Sequence, residues 1–363
     1  MKHLSFVVPA LIFSVLLASC SSKDSPTNTN TIDPSSLKAF KVTNPGDLPS
    51  VNTSTIEPIW QSATSLTITA SKIGANFSGS DRTFTVDVKS VVSDNDIYFL
   101  VQYDDPTEDY LRTPLAFLGG DPKDPTRWTK LKAYDDGVSM IFEMTPGTSG
   151  AMTFGANGCA MLCHTSATGT ASAGMYSEDT GKYDLWYWHS GKSNGSGVAD
   201  DDVVLGIPNF GILSDDNNAE NYQNNILDGP TSGYTPYKVA GGNNRNLNKS
   251  DFVARETSVD FASNSSINPN TGSAWKSGDR VPGFTIANPT PTSSDYFDVQ
   301  STGYWANGKW VVKFHRKLIT NSSGSDVALV SGRQYLFSLA IHDNNSPDNH
   351  YGASQKAFKL IMP

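Results

Sequence analysis

The sequence predicts an all-β fold, an antiparallel β-sandwich carrying long irregular loops. Three observations lead there: period-two apolar alternation in several windows, turn chemistry between those windows, and no sustained 3.6-residue apolar period with caps. Phe84–Val92 alternates apolar and polar, Ser93-Asp94-Asn95-Asp96 supplies a turn, and Ile97–Tyr103 returns as a hairpin partner. Val138–Met144 is a further alternating run, and Trp310–Arg316, Gln334–Ile341 and Ala357–Met362 continue the pattern. β-Branched and aromatic residues suit a pleated, half-buried surface, so two packed sheets are the economical solution.

Before the first strand the chain reads as an export signal. Lys2 and His3 precede an apolar run from Leu4 to Leu17, too short to span a bilayer and ending in Leu17-Ala18-Ser19-Cys20. Residues 1–19 are therefore expected to be a lipoprotein signal peptide, with Cys20 resembling the lipidated residue of a bacterial lipobox. Residues 20–35 are polar and low in complexity and are expected to tether lipid to domain. The expected location is an exported lipoprotein facing the periplasm or the cell surface, anchored at the outer membrane. The domain is expected over 36–363, with a loop-rich insertion around 191–302 where Asn, Asp, Ser, Gly and Pro accumulate. No internal repeat is present. A net charge of −9, or −10 once Lys2 leaves with the signal, argues against nucleic acid as a partner.

The chemistry concentrates in Cys159-Ala160-Met161-Leu162-Cys163-His164. Two thiols and an imidazole at this spacing read as covalent haem, a disulfide-closed loop or a small zinc site. The run has three residues between its cysteines where the familiar attachment motif has two. Thiol arithmetic favours haem: with Cys20 lipidated, only Cys159 and Cys163 remain of three cysteines, too few for a disulfide framework in an exported body of this length. One covalent haem c is expected, attached through both thiols. His164 is the first iron ligand because attachment holds its imidazole beside the metal.

Several dispersed segments carry a resemblance. They are Glu57-Pro58-Ile59-Trp60, Ile97–Thr107, Asp136–Phe142, Met175 with Asp184-Leu185-Trp186-Tyr187-Trp188, Gly308–Val312 continuing to Arg316 and Leu318, and Phe337–Asp343 ahead of His350. In this order they resemble the haem-binding domain of the γ subunit of ethylbenzene dehydrogenase and related molybdenum enzymes, the cytochrome c-552/DMSO-reductase-like haem-binding family. The resemblance implies a β-sandwich with one haem, an electron-transfer role, and iron held by methionine and lysine. Met175 matches the methionine, and His350 falls near the lysine position, with Lys356 a poorer fit. The added Cys159, Cys163 and His164 depart from that pattern. For the sixth iron position Met175 stands first and His350 is the alternative, giving a bis-histidine site if His164 displaces Met175.

Trp186 and Trp188 share a strand face and are candidates to pack on the porphyrin or to fill the core. His189 and His315 read as structural and His342 as a minor ligand candidate. Asp104, Asp105 and the run Asp343–Asn349 read as solvated turns, with calcium the less favoured alternative. Asp200-Asp201-Asp202 is expected to be an exposed charge cluster that attracts a basic partner. No nucleophile elbow, phosphate loop, dinucleotide fingerprint or H-E-x-x-H motif appears, and no catalytic residues are assigned. The expected function is a membrane-anchored mono-haem c-type cytochrome that carries single electrons to a redox partner protein, a molybdenum oxidoreductase or another cytochrome. The alternatives are a haem-bearing subunit of such an oxidoreductase and a non-haem ligand- or glycan-binding surface lipoprotein.

Overall fold

Alternation at period two places strands where it occurs, and the strands then pair into two packed layers. The computed structural model describes residues 35–73, 81–122, 124–147, 153–163, 180–206, 211–214, 222–224, 267–268, 273–281, 283–286, 298–321, 324–344, 350–353 and 356–363, all within the unit Pro34–Pro363. The expected signal peptide, Cys20 and nearly all of the tether lie outside the described residues.

Fourteen strands join one hydrogen-bonded set. In chain order they are β1 (Ser36–Lys38), β2 (Phe40–Lys41), β3 (Leu66–Lys72), β4 (Thr83–Val92), β5 (Asp96–Asp104), β6 (Gly137–Thr145) and β7 (Lys182–His189). They continue as β8 (Asp200–Leu205), β9 (Gly211–Ser214), β10 (Gln300–Ala306), β11 (Lys309–Lys317), β12 (Gln334–His342), β13 (Tyr351–Ala353) and β14 (Phe358–Ile361). The order runs β9-β8-β7-β6-β12-β13-β3-β4-β5-β11-β10. It folds over where β12 pairs with β13 and β13 with β3. Pairing is antiparallel except that β1 runs parallel to β14 and β2 parallel to β4. The hairpin expected at Phe84–Tyr103 forms with Val92 opposite Ile97 and Val86 opposite Tyr103. Its turn is set by the Ser93 hydroxyl, which accepts from Asn95 N at 3.2 Å and Asp96 N at 2.9 Å.

Aromatic side chains fill the space between the layers. Trp186 of β7 and Phe142 of β6 meet Phe99 of β5, and Phe314 of β11 closes on Trp186, with ring centroids 4.8–6.3 Å apart. Trp188 lies edge-on to Trp310 at 5.1 Å and donates to Asn194 Oδ1 at 3.2 Å. Each such residue contributes about 1.5–3 kcal/mol by leaving water.

Charge is also buried, contrary to two expectations. Asp200 and Asp201 are not an exposed cluster: they sit in β8 opposite Tyr187 and Trp186 and are buried. Partners elsewhere in the chain accept that burial, with Lys192 Nζ 3.5 Å and His189 Nε2 3.7 Å from Asp200. Arg316, also buried, donates to Asp184 at 2.6 Å and to Val327 O, and lies 3.5 Å from Asp326. Asp105 is not part of a solvated turn either; it is 0% exposed, whereas Asp104 beside it is exposed. The Gly191–Thr302 stretch, read as loop chemistry, supplies β8, β9 and the start of β10 to the main set.

Candidate functional site

The Cys159 segment is built by two single-turn helices, α1 (Phe154–Asn157) and α2 (Ala160–Cys163), too short to show a helical period in the sequence. Thr153 caps α1 by accepting from Ala156 N at 3.3 Å. Phe154, Met161 and Leu162 are buried against Ile141, Tyr183, Leu185 and Val204, so the segment lies on the outer face of β6 and β7. Gly158 ends α1 at φ 54°, and a Cβ there would stand 2.7 Å from Lys356 O. Only glycine permits this close crossing without strain. Cys159 N then donates to Ser338 Oγ at 3.1 Å, fixing the cysteine over β12.

Cys159 Sγ lies 3.8 Å from His350 Nε2, and both residues are buried. From His350 a layer of rings runs across the same face. His342 is 5.1 Å from His350, Tyr187 stacks on His342 at 4.4 Å, and His189 contacts Tyr187 at 3.6 Å between centroids. Ser139 Oγ holds His342 Nε2 at 2.8 Å, while the buried His342 Nδ1 has no hydrogen-bond partner among the described residues. Burial drives the His342 imidazole well below its ordinary pKa, and the neighbouring His350 and His189 add to this. His189 is lowered for the same first reason, against the pull of Asp135. Asp135, despite burial, is held well below the usual carboxylate range by His189 at 3.4 Å and Arg112 at 3.2 Å. His342 is thus kept neutral, the form in which imidazole binds a metal.

The expected site residues are distributed as follows. Cys159 and His350 are brought together across 191 positions of sequence. Cys163 is the last residue of α2, and His164 and Met175 lie outside the described residues. Lys356 is exposed. Trp186 and Trp188 are packed as core residues, on the opposite face of β7 from Leu185 and Tyr183 that receive the Cys159 segment. His315 is structural, bonded to Asp96 at 2.9 Å and to Gln300 at 3.2 Å. The structure adds His342, Tyr187, His189 and Ser139, which stand together beside His350. The signal available for them was the register of β7, in which Tyr183, Leu185, Tyr187 and His189 share the outward face.

A buried thiol against the His350 imidazole, with the unsatisfied Nδ1 of His342 in the next ring, offers residue types by which a haem can be attached and its iron held. Solved structures similar to this chain include a family 9 carbohydrate binding module from Caldicellulosiruptor kristjanssonii in complex with glucose, 8% identical, covering 90% of this chain and 95% of the module at TM-score 0.33. A putative carbohydrate-binding protein from Bacteroides uniformis is 6% identical, covering 91% and 99% at TM-score 0.38. Likenesses this weak carry no argument about ligand. No curated protein matches the chain. The ethylbenzene dehydrogenase family profile, in contrast, matches residues 57–354, from Glu57 to the end of β13. That span takes in the main strand set except β1, β2 and β14, together with the Cys159 segment and the imidazole layer, and the chain therefore belongs to the ethylbenzene dehydrogenase family.

Proposed function

We propose that this chain is an exported, lipid-anchored, mono-haem c-type cytochrome that carries single electrons, with Cys159 and Cys163 as the attachment thiols. The contact of Cys159 Sγ with His350 Nε2 at 3.8 Å carries the reading, because it sets an iron-ligating side chain beside the attachment run. His164 is proposed as the proximal ligand. His350 now precedes Met175 for the sixth position, since it is buried at the thiol. Bound haem supplies a one-electron iron couple. The chain's own part is to hold and shield it. Ser139 orients His342, the His342–Tyr187–His189 layer would exclude water from a bound haem, and the Asp135–Arg112 pair fixes His189. Cys20 is proposed as the lipidated residue, placing the domain at the outer membrane. The partner is proposed to be a redox protein, a molybdenum oxidoreductase or a second cytochrome, and membership of the ethylbenzene dehydrogenase family supports the oxidoreductase.

The test is the spectrum of the protein expressed with c-type cytochrome maturation, reduced in alkaline pyridine. A c-type haemochrome that stays with the polypeptide through acid–acetone, and is lost in the Cys159→Ala Cys163→Ala variant, is the expected result. Haem that extracts from the wild type would end the covalent assignment. A colourless protein would end the haem reading and bring forward the ligand-binding lipoprotein.

A further inference from the structure

The acidic docking surface expected at Asp200-Asp201-Asp202 does not form, because Asp200 and Asp201 are buried. A surface of the opposite sign does form, on a small antiparallel sheet of Leu115–Phe117, Trp128–Lys130 and Arg280–Val281. Leu115, Phe117, Trp128, Trp275 and Val281 make its own core, with Trp128 5.1 Å from Phe117 and 5.2 Å from Trp275 between ring centroids. Packed aromatic rings make this sheet a firm platform. Two hydrogen bonds shape its tip. Leu118 N donates to Arg127 O at 2.7 Å and Gly278 N to Phe117 O at 2.8 Å, which brings Arg127 and the Lys276–Arg280 turn to the two sides of Leu118. Leu118 itself is 52% exposed, an apolar side chain within a charged rim.

The rim is basic. Among the described residues of 115–132 and 273–281, Arg127, Lys130, Lys132, Lys276 and Arg280 are all exposed, and they face only Asp121, Asp124 and Asp279. Arg127 pairs with Asp124 at 3.6 Å, and the other four cations have no ion pair among the described residues. Asp124 and Asp279 shape turns, accepting from Thr126 N and Lys276 N at 2.9 Å each. This positive excess sits on a chain whose net charge is −9. A patch opposite in sign to its body attracts an acidic surface and orients it, while the rest of the molecule repels it.

A second observation is where the sheet is rooted. Thr113 N donates to Ala133 O and Leu131 N to Pro114 O, both at 2.9 Å, so the two strands run on together to Arg112 and Asp135. Arg112 holds Asp135, and Asp135 faces His189, the end of the ring layer that starts at His350 beside Cys159. The basic sheet therefore adjoins the end of the ring layer opposite the thiol.

We propose that this sheet is the docking surface for an acidic one-electron carrier protein, with Leu118 as its apolar centre and Lys130, Lys132, Lys276 and Arg280 as the rim that selects the partner's sign. The proposal rests on the electron-carrier reading above and supplies the chemistry of its partner. Encounters between electron carriers bury little surface and are steered by charge, so a small apolar centre in a basic rim suffices.

Binding of the full chain to fluorescently labelled poly-L-glutamate, read by anisotropy at low salt, tests the surface whether or not haem is present. The wild type binds, and about 0.5 M salt abolishes binding. Lys132→Glu Lys276→Glu, both outside the strands, weakens it by about tenfold or more. Lys38→Glu Lys359→Glu makes the same change of net charge at other exposed positions and weakens it by less than about twofold. In the haem-loaded protein, oxidation by ferricyanide, one electron per anion, slows as salt rises, and Lys132→Glu Lys276→Glu removes that dependence. Equal weakening by the two double variants would overturn the proposal, because net charge and not the patch would then govern binding. So would a wild-type ferricyanide rate that rises with salt. Patch-dependent binding to phosphatidylglycerol vesicles without binding to poly-L-glutamate would overturn it in favour of a membrane surface. A colourless protein would overturn the carrier assignment, and the poly-L-glutamate result would then stand alone for an acidic partner.

Discussion

Replacing Glu57 by glutamine isolates one buried charge. The Lys313 side chain is 1% exposed, and its ammonium contacts Glu57 Oε1 at 2.8 Å, Glu57 Oε2 at 2.9 Å, Ser50 O and Thr53 Oγ1 at 3.0 Å, and Thr55 O. Glu57 is the single anion among these partners and also accepts from Trp60 Nε1 at 3.1 Å. Glutamine keeps the shape and an acceptor but leaves the ammonium buried against neutral oxygens. Breaking a buried pair in this way costs about 3–5 kcal/mol, and the three neutral acceptors bring the expectation to the lower end, about 3 kcal/mol. For a chain of this size that corresponds to a fall in melting temperature of roughly 5–10 °C. Denaturant unfolding followed by circular dichroism at neutral pH measures it, and added salt should change the deficit little because the pair is shielded from ions. Although burial opposes it, the bond to Lys313 lowers the Glu57 pKa below 4.5. The stability it contributes is present above that value and is lost as pH falls through the lowered pKa, so the deficit shrinks in acid. A Glu57→Gln protein within about 1 kcal/mol of wild type at neutral pH would refute the reasoning. It would mean that the backbone carbonyls alone carry the ammonium.

Gly158→Ala forces a Cβ to 2.7 Å from Lys356 O at φ 54°, and should cost about 1–3 kcal/mol and reduce haem retention, read by thermal melting and the haem-to-protein absorbance ratio. If His350 ligates iron, His350→Ala should give a high-spin spectrum that binds added imidazole, while His342→Phe leaves the low-spin bands in place; the reverse pattern would exchange the two roles. Burial first, with Asp326 adding, raises Asp184 to about 6 and Asp298 to about 7. Groups raised in the folded state favour it below their unfolded value, so stability in chelator should decline by a few kcal/mol as pH rises from about 4 to about 7. A melting temperature flat across that window would show that these acids do not titrate there.

Strand identity was legible because it is local. In a pleated strand neighbours face opposite sides, so Phe84–Val92, Ile97–Tyr103 and Trp310–Arg316 declare β4, β5 and β11 through their own alternation. The thiol run was legible for the same reason, as its chemistry lies within six consecutive residues. Asp200-Asp201-Asp202 was misread because a charge run resembles a solvated turn unless its distant partners are known. The burial of Asp200 depends on Lys192 and His189, which no alternation pattern announces.

By itself, then, the sequence determined the all-β class, the principal strands and the Cys159–His164 run. Tertiary structure decided which face of the sheet that run covers, and it brought His350 and His342 to it. It also separated Trp186 and Trp188 into the core and gathered Asp105, Asp136 and Asp343 from three strand ends. Strand pairing joins residues more than a hundred positions apart through backbone hydrogen bonds that carry no side-chain signature. Proximity across such distances follows from the register of the whole sheet, and no short stretch of sequence contains it.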